Sequence, residues 1–434
     1  MKIEISNQGK WNQSLTLKLA LLAFMGILLL IPLQIIISVI QERQSNAEKV
    51  KKEISDQWAA KQCITGPVLN IPVRTRPADK EEIPSVVVWH IMPEALAITG
   101  KINPEIRYRG IYKTAVYKSD LLFEGTFTVP DRTTMKDYDI LWDQAYFTAG
   151  ITDNRGLNGE VTMKAGPDEL EGVPGVSDKD IFQSGISFLK PLTSGTEKIN
   201  FSLMMHLSGS EGLLFTPLGK VTDVKLESEW TSPGFSGSFL PAERVINDNG
   251  FTARWQVTHL NRNFPQEWTG SSFDPNASAF GVDLFMPVDH YQKSMRSAKY
   301  GILFIALTFL VLIFLEITRK EFIHLFNYFL VALALVLFFS LLNSLSEHTG
   351  FNLAYLISSA SIILMISLFT GALLKNKRIV FIVFALLVFL YSFIYILLSL
   401  NDYAYLAGNA GLFVLLAVVM WFASRMNFFR KEVS

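Results

Sequence analysis

Six stretches of the chain are predominantly apolar over the length that crosses a membrane: residues 19–40, 300–317, 322–345, 353–374, 379–400 and 405–423. A hydrocarbon core about 30 Å thick takes roughly 20 such residues as a helix. Inside it every backbone N–H and C=O must be satisfied internally, so these segments are expected as six transmembrane α-helices. Everything else has to be fitted around them. The loops assign the sides, because Lys and Arg concentrate on the cytoplasmic face. Lys2, Lys10 and Lys18 precede the first span, Arg319 and Lys320 follow the second, Lys375, Lys377 and Arg378 the fourth, and Arg425, Arg430 and Lys431 the sixth. The alternate loops 346–352 and 401–404 hold no Lys or Arg, only Glu347, His348 and Asp402. Both termini, 1–18 and 424–434, are therefore expected in the cytoplasm, with 41–299 on the opposite face, the periplasm in a bacterium.

A cleavable signal peptide is the rival reading of the first span. Its apolar run exceeds the roughly 7–15 residues of a signal h-region, and the IQERQSNAEK that follows offers no A-x-A cleavage pattern, so an anchor is expected. Pro32 is placed to kink it.

The formal net charge is zero, but Lys and Arg number 11 against 6 Asp and Glu in residues 1–40 and 300–434, leaving 28 against 33 in 41–299. The middle is mildly acidic and carries no basic run, which argues against a phosphate-backbone partner, so no nucleic acid is expected. Cys63 is the one cysteine, so neither an intrachain disulfide nor a Cys-based zinc site is available, and the domain must hold by burial.

In residues 41–61 no Gly or Pro occurs, and Ala47, Val50, Ile54 and Trp58 recur every three or four residues, which predicts an amphipathic helix continuing the first span. Over 62–286 the period becomes two: VLNIPV, SVVVWHI, ALAITGKI, TAVYKSDLLFEGTFTV, EKINFSLMMHL, KVTDVKLESEW and FTARWQVTHL read as strands, separated by turn clusters such as DNRGLNG and NDNG. Asn247 to Gly250 predicts a hairpin. Residues 287–299 read as a short helix leading into the second span. The expected fold is thus an α+β membrane protein, with one large, mainly β, sandwich-like domain inserted between transmembrane helices 1 and 2.

No G-x-S-x-G elbow, H-E-x-x-H helix, phosphate loop or G-x-G-x-x-G turn occurs, so no catalytic, cofactor or metal residues are expected. His90, His206, His259 and His290 are scattered, with no pair at a ligand spacing, and read as polar strand or surface residues, the alternative being a metal site assembled only in three dimensions. Glu316 and His324 fall at the cytoplasmic ends of their spans, where Glu316 can reach water or pair with Arg319 and Lys320. No charge falls at the centre of any span, which weakens a transporter reading. The densest polar cluster is the turn 344–352, read either as a helix cap or, through Glu347 and His348, as a contact that holds the external domain to the bundle.

The turn SLSEHTGFNLAY, the helix start NDYAYLAGNAGLF and the stretches SGSEGLLFTPLGKVTDVKLESEWTSPGFSGSFLP, GFTARWQVTHLNRNFPQEW and RYRGIYKTAVYKSDL resemble the CreD family of bacterial inner-membrane proteins, over nearly the whole chain from about residue 15 to 430. The tail SRMNFFRKEVS departs from the more basic ending expected of that family. The resemblance implies a cell-envelope-integrity or colicin-tolerance protein in an envelope-stress regulon under a CreBC-type two-component system, and it supplies no catalytic residues. The expected function is non-enzymatic support of the envelope, with the lipid bilayer and a periplasmic protein or cell-wall material as partners and no cofactor. A transporter or a periplasmic hydrolase are the alternatives.

Overall fold

A computed structural model describes residues 8–76, 84–129, 135, 138–193, 198–286, 290–319, 323–374 and 377–399, with positions 413, 417 and 420. The chain divides into two compact units, Ala47–Pro287 and Met1–Asn46 with Val288–Ser434.

The helical unit is built from α1 (Gln8–Leu28), α2 (Leu30–Trp58), whose second half belongs to the other unit, α3 (His290–Lys299), α4 (Gly301–Arg319), α5 (Leu325–Thr349), α6 (Phe351–Leu374) and α7 (Lys377–Ser399). Among the described residues four helices are long and apolar enough to cross a membrane: Leu17–Trp58, Leu325–Thr349, Phe351–Leu373 and Val380–Ser399. A fifth is added if Tyr291–Lys299 and Gly301–Phe314, bent by 46°, form one span. The expected span 405–423 lies outside the described residues, apart from positions 413, 417 and 420. The interruption between α1 and α2 falls at Leu29, three residues before Pro32, where a proline ring crowds the carbonyl four residues back. The amphipathic stripe 41–61 continues the first helix, as its spacing predicted, as far as Trp58. Aromatic rings fill the interior. Phe304 meets Phe338, Phe339 and Tyr391 with centroids 4.9–5.5 Å apart, and the Tyr355 hydroxyl donates to the Tyr391 carbonyl at 2.8 Å.

Eighteen strands are described in the other unit. In chain order they are β1 (Gln62–Thr75), β2 (Val86–Ile91), β3 (Ala95–Arg109), β4 (Tyr112–Thr128), β5 (Tyr138–Ile140) and β6 (Tyr146–Ile151). There follow β7 (Thr162–Ala165), β8 (Asp168–Glu171), β9 (Val173–Pro174), β10 (Gly185–Leu189), β11 (Lys198–Ser210) and β12 (Gly212–Phe215). The last six are β13 (Val221–Ser228), β14 (Pro233–Gly237), β15 (Glu243–Asn247), β16 (Gly250–Thr258), β17 (Glu267–Thr269) and β18 (Phe280–Leu284). One sheet runs β14-β18-β12-β1-β6-β10-β9, with β2 and β5 also paired to β1 and β17 to β2; the second runs β15-β16-β13-β3-β4-β11-β7-β8.

The alternation read from the sequence is the reason the second sheet buries one face: along β3, Leu96, Ile98 and Ile102 are buried while Ala95, Ala97, Thr99 and Lys101 are exposed. The two sheets pack face to face through rings contributed by each. Phe127 of β4 lies 5.2 Å from Phe147 of β6, and Phe123 of β4 lies 6.3 Å from Phe215 of β12. In β1 and β6 nearly every residue is buried, because the far face of the first sheet is covered as well. The predicted hairpin is present, with Asn247 paired to Gly250. The positive φ falls on Gly250 itself, at 132°, where an added Cβ would stand 2.0 Å from the Ser228 carbonyl oxygen.

Candidate metal centre on the covered face of the first sheet

Residues directly opposite one another on neighbouring strands share a face of the sheet. The register therefore sets Trp268, His90, Asn70, Tyr146 and Leu189 in one row across β17, β2, β1, β6 and β10. Phe147 points into the core between the sheets, so its neighbour Tyr146, and with it the row, lies on the opposite face. That face is covered by the segment between β9 and β10, whose Ile181 and Phe182 are buried. The same segment brings in Asp178 and Asp180.

His90 is fully buried. Its Nδ1 lies 2.7 Å from Asn70 Oδ1, and the Asn70 amide is oriented in turn by its Nδ2 donating to Thr148 Oγ1 at 2.9 Å. Asn70 thus offers its oxygen, Nδ1 carries the proton, and Nε2 presents a lone pair. Facing that lone pair are Asp178 Oδ2 at 3.4 Å and Asp180 Oδ2 at 3.6 Å. Neither makes a hydrogen bond with Nε2, which is buried without a hydrogen-bonding partner. The three ligand atoms all lie within 4.8 Å of one another. Asp178 uses its other oxygen, Oδ1, to accept from the Asp180 backbone N–H at 2.9 Å, which fixes the turn and leaves Oδ2 facing the histidine.

The electrostatics follow from burial and from this concentration of acceptors. Burial lowers His90 to about 4, partly offset by the charge of Asp180, so the ring is neutral near pH 7. Desolvation raises the Asp178 carboxyl. The Tyr146 hydroxyl is pushed above its ordinary range by burial first, and then by the negative charges of Asp178 and Asp180. Such a site is suited to a cation. It has two hard oxygens and one imidazole nitrogen, with solvent reaching it on the carboxylate side, where the Asp178 and Asp180 side chains are 14% and 29% exposed.

The sequence reading expected no metal ligands and treated His90 as a polar strand residue; the fold buries it and brings two carboxylates to it. The available signal is the Asp-x-Asp spacing of Asp178 and Asp180 beside a histidine in an apolar strand, but nothing in the sequence joins segments so far apart. Of the other histidines, His206 is exposed and pairs with Asp120 at 2.6 Å, and His259 is exposed in a short 3-10 turn.

Glu347 and His348 lie in the last turn of α5, which Gly350 ends with φ 77°. His348 is exposed, and Glu347 meets Arg43 of α2 at 3.9 Å within the helical unit. Glu316 pairs with Lys18 at 2.5 Å and accepts from the Tyr328 hydroxyl at 2.8 Å, partners that the local sequence around Arg319 does not suggest.

A profile described as "Inner membrane protein CreD" matches residues 14–429. The inner membrane protein CreD of Escherichia coli (strain K12) is 31% identical over 413 residues, which are 93% of this chain and 91% of that one. An M1 zinc metallopeptidase structure from Deinococcus radiodurans reaches a TM-score of 0.22 at 9% identity, over 38% of this chain and 39% of its own, a likeness too slight to carry any argument.

Proposed function

Because the chain belongs to the CreD family of inner membrane proteins, we propose that it is a non-enzymatic, six-span protein that supports the cell envelope under envelope or cell-wall stress. Its β-rich unit works as a binding module on the periplasmic side, for a protein or for cell-wall material. What supports this reading is the combination of membrane-length apolar helices with a compact two-sheet unit, Ala47–Pro287, in one chain. So large a unit, with a continuous apolar core, is a folded domain in its own right and not a connecting loop. Orientation follows from the Lys and Arg loops, which put both termini in the cytoplasm and residues 41–299 outside.

Deleting the gene is expected to reduce survival or alter cell shape under detergent, cell-wall antibiotics or osmotic shock, and the wild-type gene should restore both. Normal survival and morphology under all three challenges would sink the reading. The same strain tests the turn between the third and fourth spans. Full restoration by a Glu347→Ala/His348→Ala variant leaves that turn a helix cap, whereas failure with normal membrane insertion gives it a functional role.

Orientation has its own readout in Cys63, the single thiol. A membrane-impermeant thiol reagent should label it from the exported side only. Burial raises the thiol pKa, with hydrogen bonds to Thr216 and Thr65 opposing, so labelling of native protein is slow and becomes fast on denaturation. Labelling from the cytoplasmic side alone would reverse the topology.

A further inference from the structure

We propose that His90 Nε2, Asp178 Oδ2 and Asp180 Oδ2 form a binding site for one divalent cation of the zinc class. Geometry carries the inference. Donors about 2.0–2.2 Å from a tetrahedral zinc ion stand roughly 3.3–3.6 Å from one another. Nε2 lies 3.4 and 3.6 Å from the two carboxylate oxygens, too far for good hydrogen bonds and close to the edges of such a tetrahedron.

The second argument is the unpartnered nitrogen. A wholly buried imidazole whose Nδ1–H is already given to Asn70 directs a lone pair at two carboxylates, so three acceptors converge with no donor among them. A positive charge seated between them makes that arrangement favourable. Among the groups described around the site, Asn70, Thr148, Tyr146 and Trp268 are neutral, and Lys179, between the two aspartates, is exposed.

The surroundings have the form that metal-binding histidines require. The ring is held from behind by the Asn70 oxygen, as ligating histidines are held by a carbonyl or carboxylate on the other nitrogen. Asn70 is itself anchored to Thr148, and Trp268 lies 5.7 Å from the ring, centroid to centroid. The Asp178 turn is set by its bond from the Asp180 amide. Three protein donors with an opening toward solvent leave one coordination position for water or for an oxygen of a ligand. The cation would also join the β9–β10 segment to β2, in a unit whose single thiol rules out a disulfide.

The test uses full-length protein in detergent, stripped with EDTA and then given Zn2+ alone. Wild type is expected to retain one Zn2+ per chain after desalting. Its unfolding midpoint should rise by roughly 5–10 °C once Zn2+ exceeds the dissociation constant about 100-fold. Asp178→Asn/Asp180→Asn keeps the size of both side chains on a partly exposed turn, so its zinc-free protein should fold with a wild-type circular dichroism spectrum. It should bind Zn2+ more than about 100-fold more weakly and lose the thermal shift. Co2+ in place of Zn2+ adds a spectroscopic signature: visible d–d bands of low-symmetry, four- or five-coordinate cobalt in wild type, absent from the variant. Two results would overturn the proposal: stripped wild type that takes up no Zn2+, or a folded double variant that binds Zn2+ as wild type does. Should the double variant not fold, Asp180→Asn alone is held to the same criterion.

Discussion

Trp255→Ala is expected to destabilise the β-rich unit by about 3–5 kcal/mol, among the largest effects open to a single substitution in it. Trp255 is fully buried in β16 of the second sheet. Its ring lies 5.7 Å from Phe235 of β14 and 5.7 Å from Phe280 of β18, both in the first sheet. Its indole N–H donates to the Phe239 carbonyl at 3.2 Å. Alanine would therefore open a cavity where the two sheets meet and leave a half-buried carbonyl without its donor, and the two costs add. Trp255→Phe keeps most of the ring contact and loses only the hydrogen bond and part of the volume, so about 1–2 kcal/mol is expected. In a unit of this size each kcal/mol moves the midpoint by roughly 2–4 °C, which makes the alanine variant melt some 6–20 °C lower. Near-ultraviolet circular dichroism of full-length protein during heating reports it. A midpoint within about 2 °C of wild type would mean that the sheets are not joined through this ring.

The contrast between the two sheets explains what the sequence made legible. Residues 198–207 and 221–228 alternate because one face of β11 and β13 meets the core and the other meets water, and a period of two records that directly. β1 carries no such record. It is covered on both faces, and it continues on either side of the VLNIPV segment that sequence alone marks as strand. Pairing was less legible still. β1 lies parallel to β12, and β13 parallel to β3, across more than a hundred residues of intervening chain, and no local turn signal specifies either. The hairpin at Asn247 to Gly250 was readable because its pairing is local.

The candidate site follows the same logic. His90 reaches Asn70 through the β1–β2 register, and it reaches Asp178 and Asp180 only because the segment after β9 folds across the covered face. A search for histidine pairs or short motifs passes over it, since two of its three donors are carboxylates in a turn whose composition is that of an ordinary loop. Charge is legible when it is expensive and local, as at the span ends, and much less so when its partner is remote. Glu316 illustrates both. Its position at the end of an apolar run is plain, whereas its partner Lys18 comes from the far end of the chain.

That pair yields the last prediction. Lys18 and Glu316 are 12% and 15% exposed, with Nζ 2.5 Å from Oε1. Lys18 also donates to the Ile323 carbonyl at 2.6 Å, and Tyr328 donates to the second Glu316 oxygen at 2.8 Å. Two charges so little exposed are held by one another, and removing one leaves the other desolvated without its counter-charge. Glu316→Ala is therefore expected to cost the helical unit about 3–5 kcal/mol, far more than the 0–1 kcal/mol of an exposed pair. The double variant Lys18→Met/Glu316→Leu should cost less than Glu316→Ala alone, because apolar side chains of similar length fill the space and no buried charge remains. Tyr328→Phe removes one hydrogen bond to a charged group and should cost about 1.5–3 kcal/mol. Helical circular dichroism during sodium dodecyl sulfate titration of the full-length protein in detergent measures all three. If Glu316→Ala unfolds at the wild-type detergent fraction, or if the double variant is the least stable of the set, then water and not Lys18 neutralises the glutamate, and the pair joins α1 to α4 only weakly.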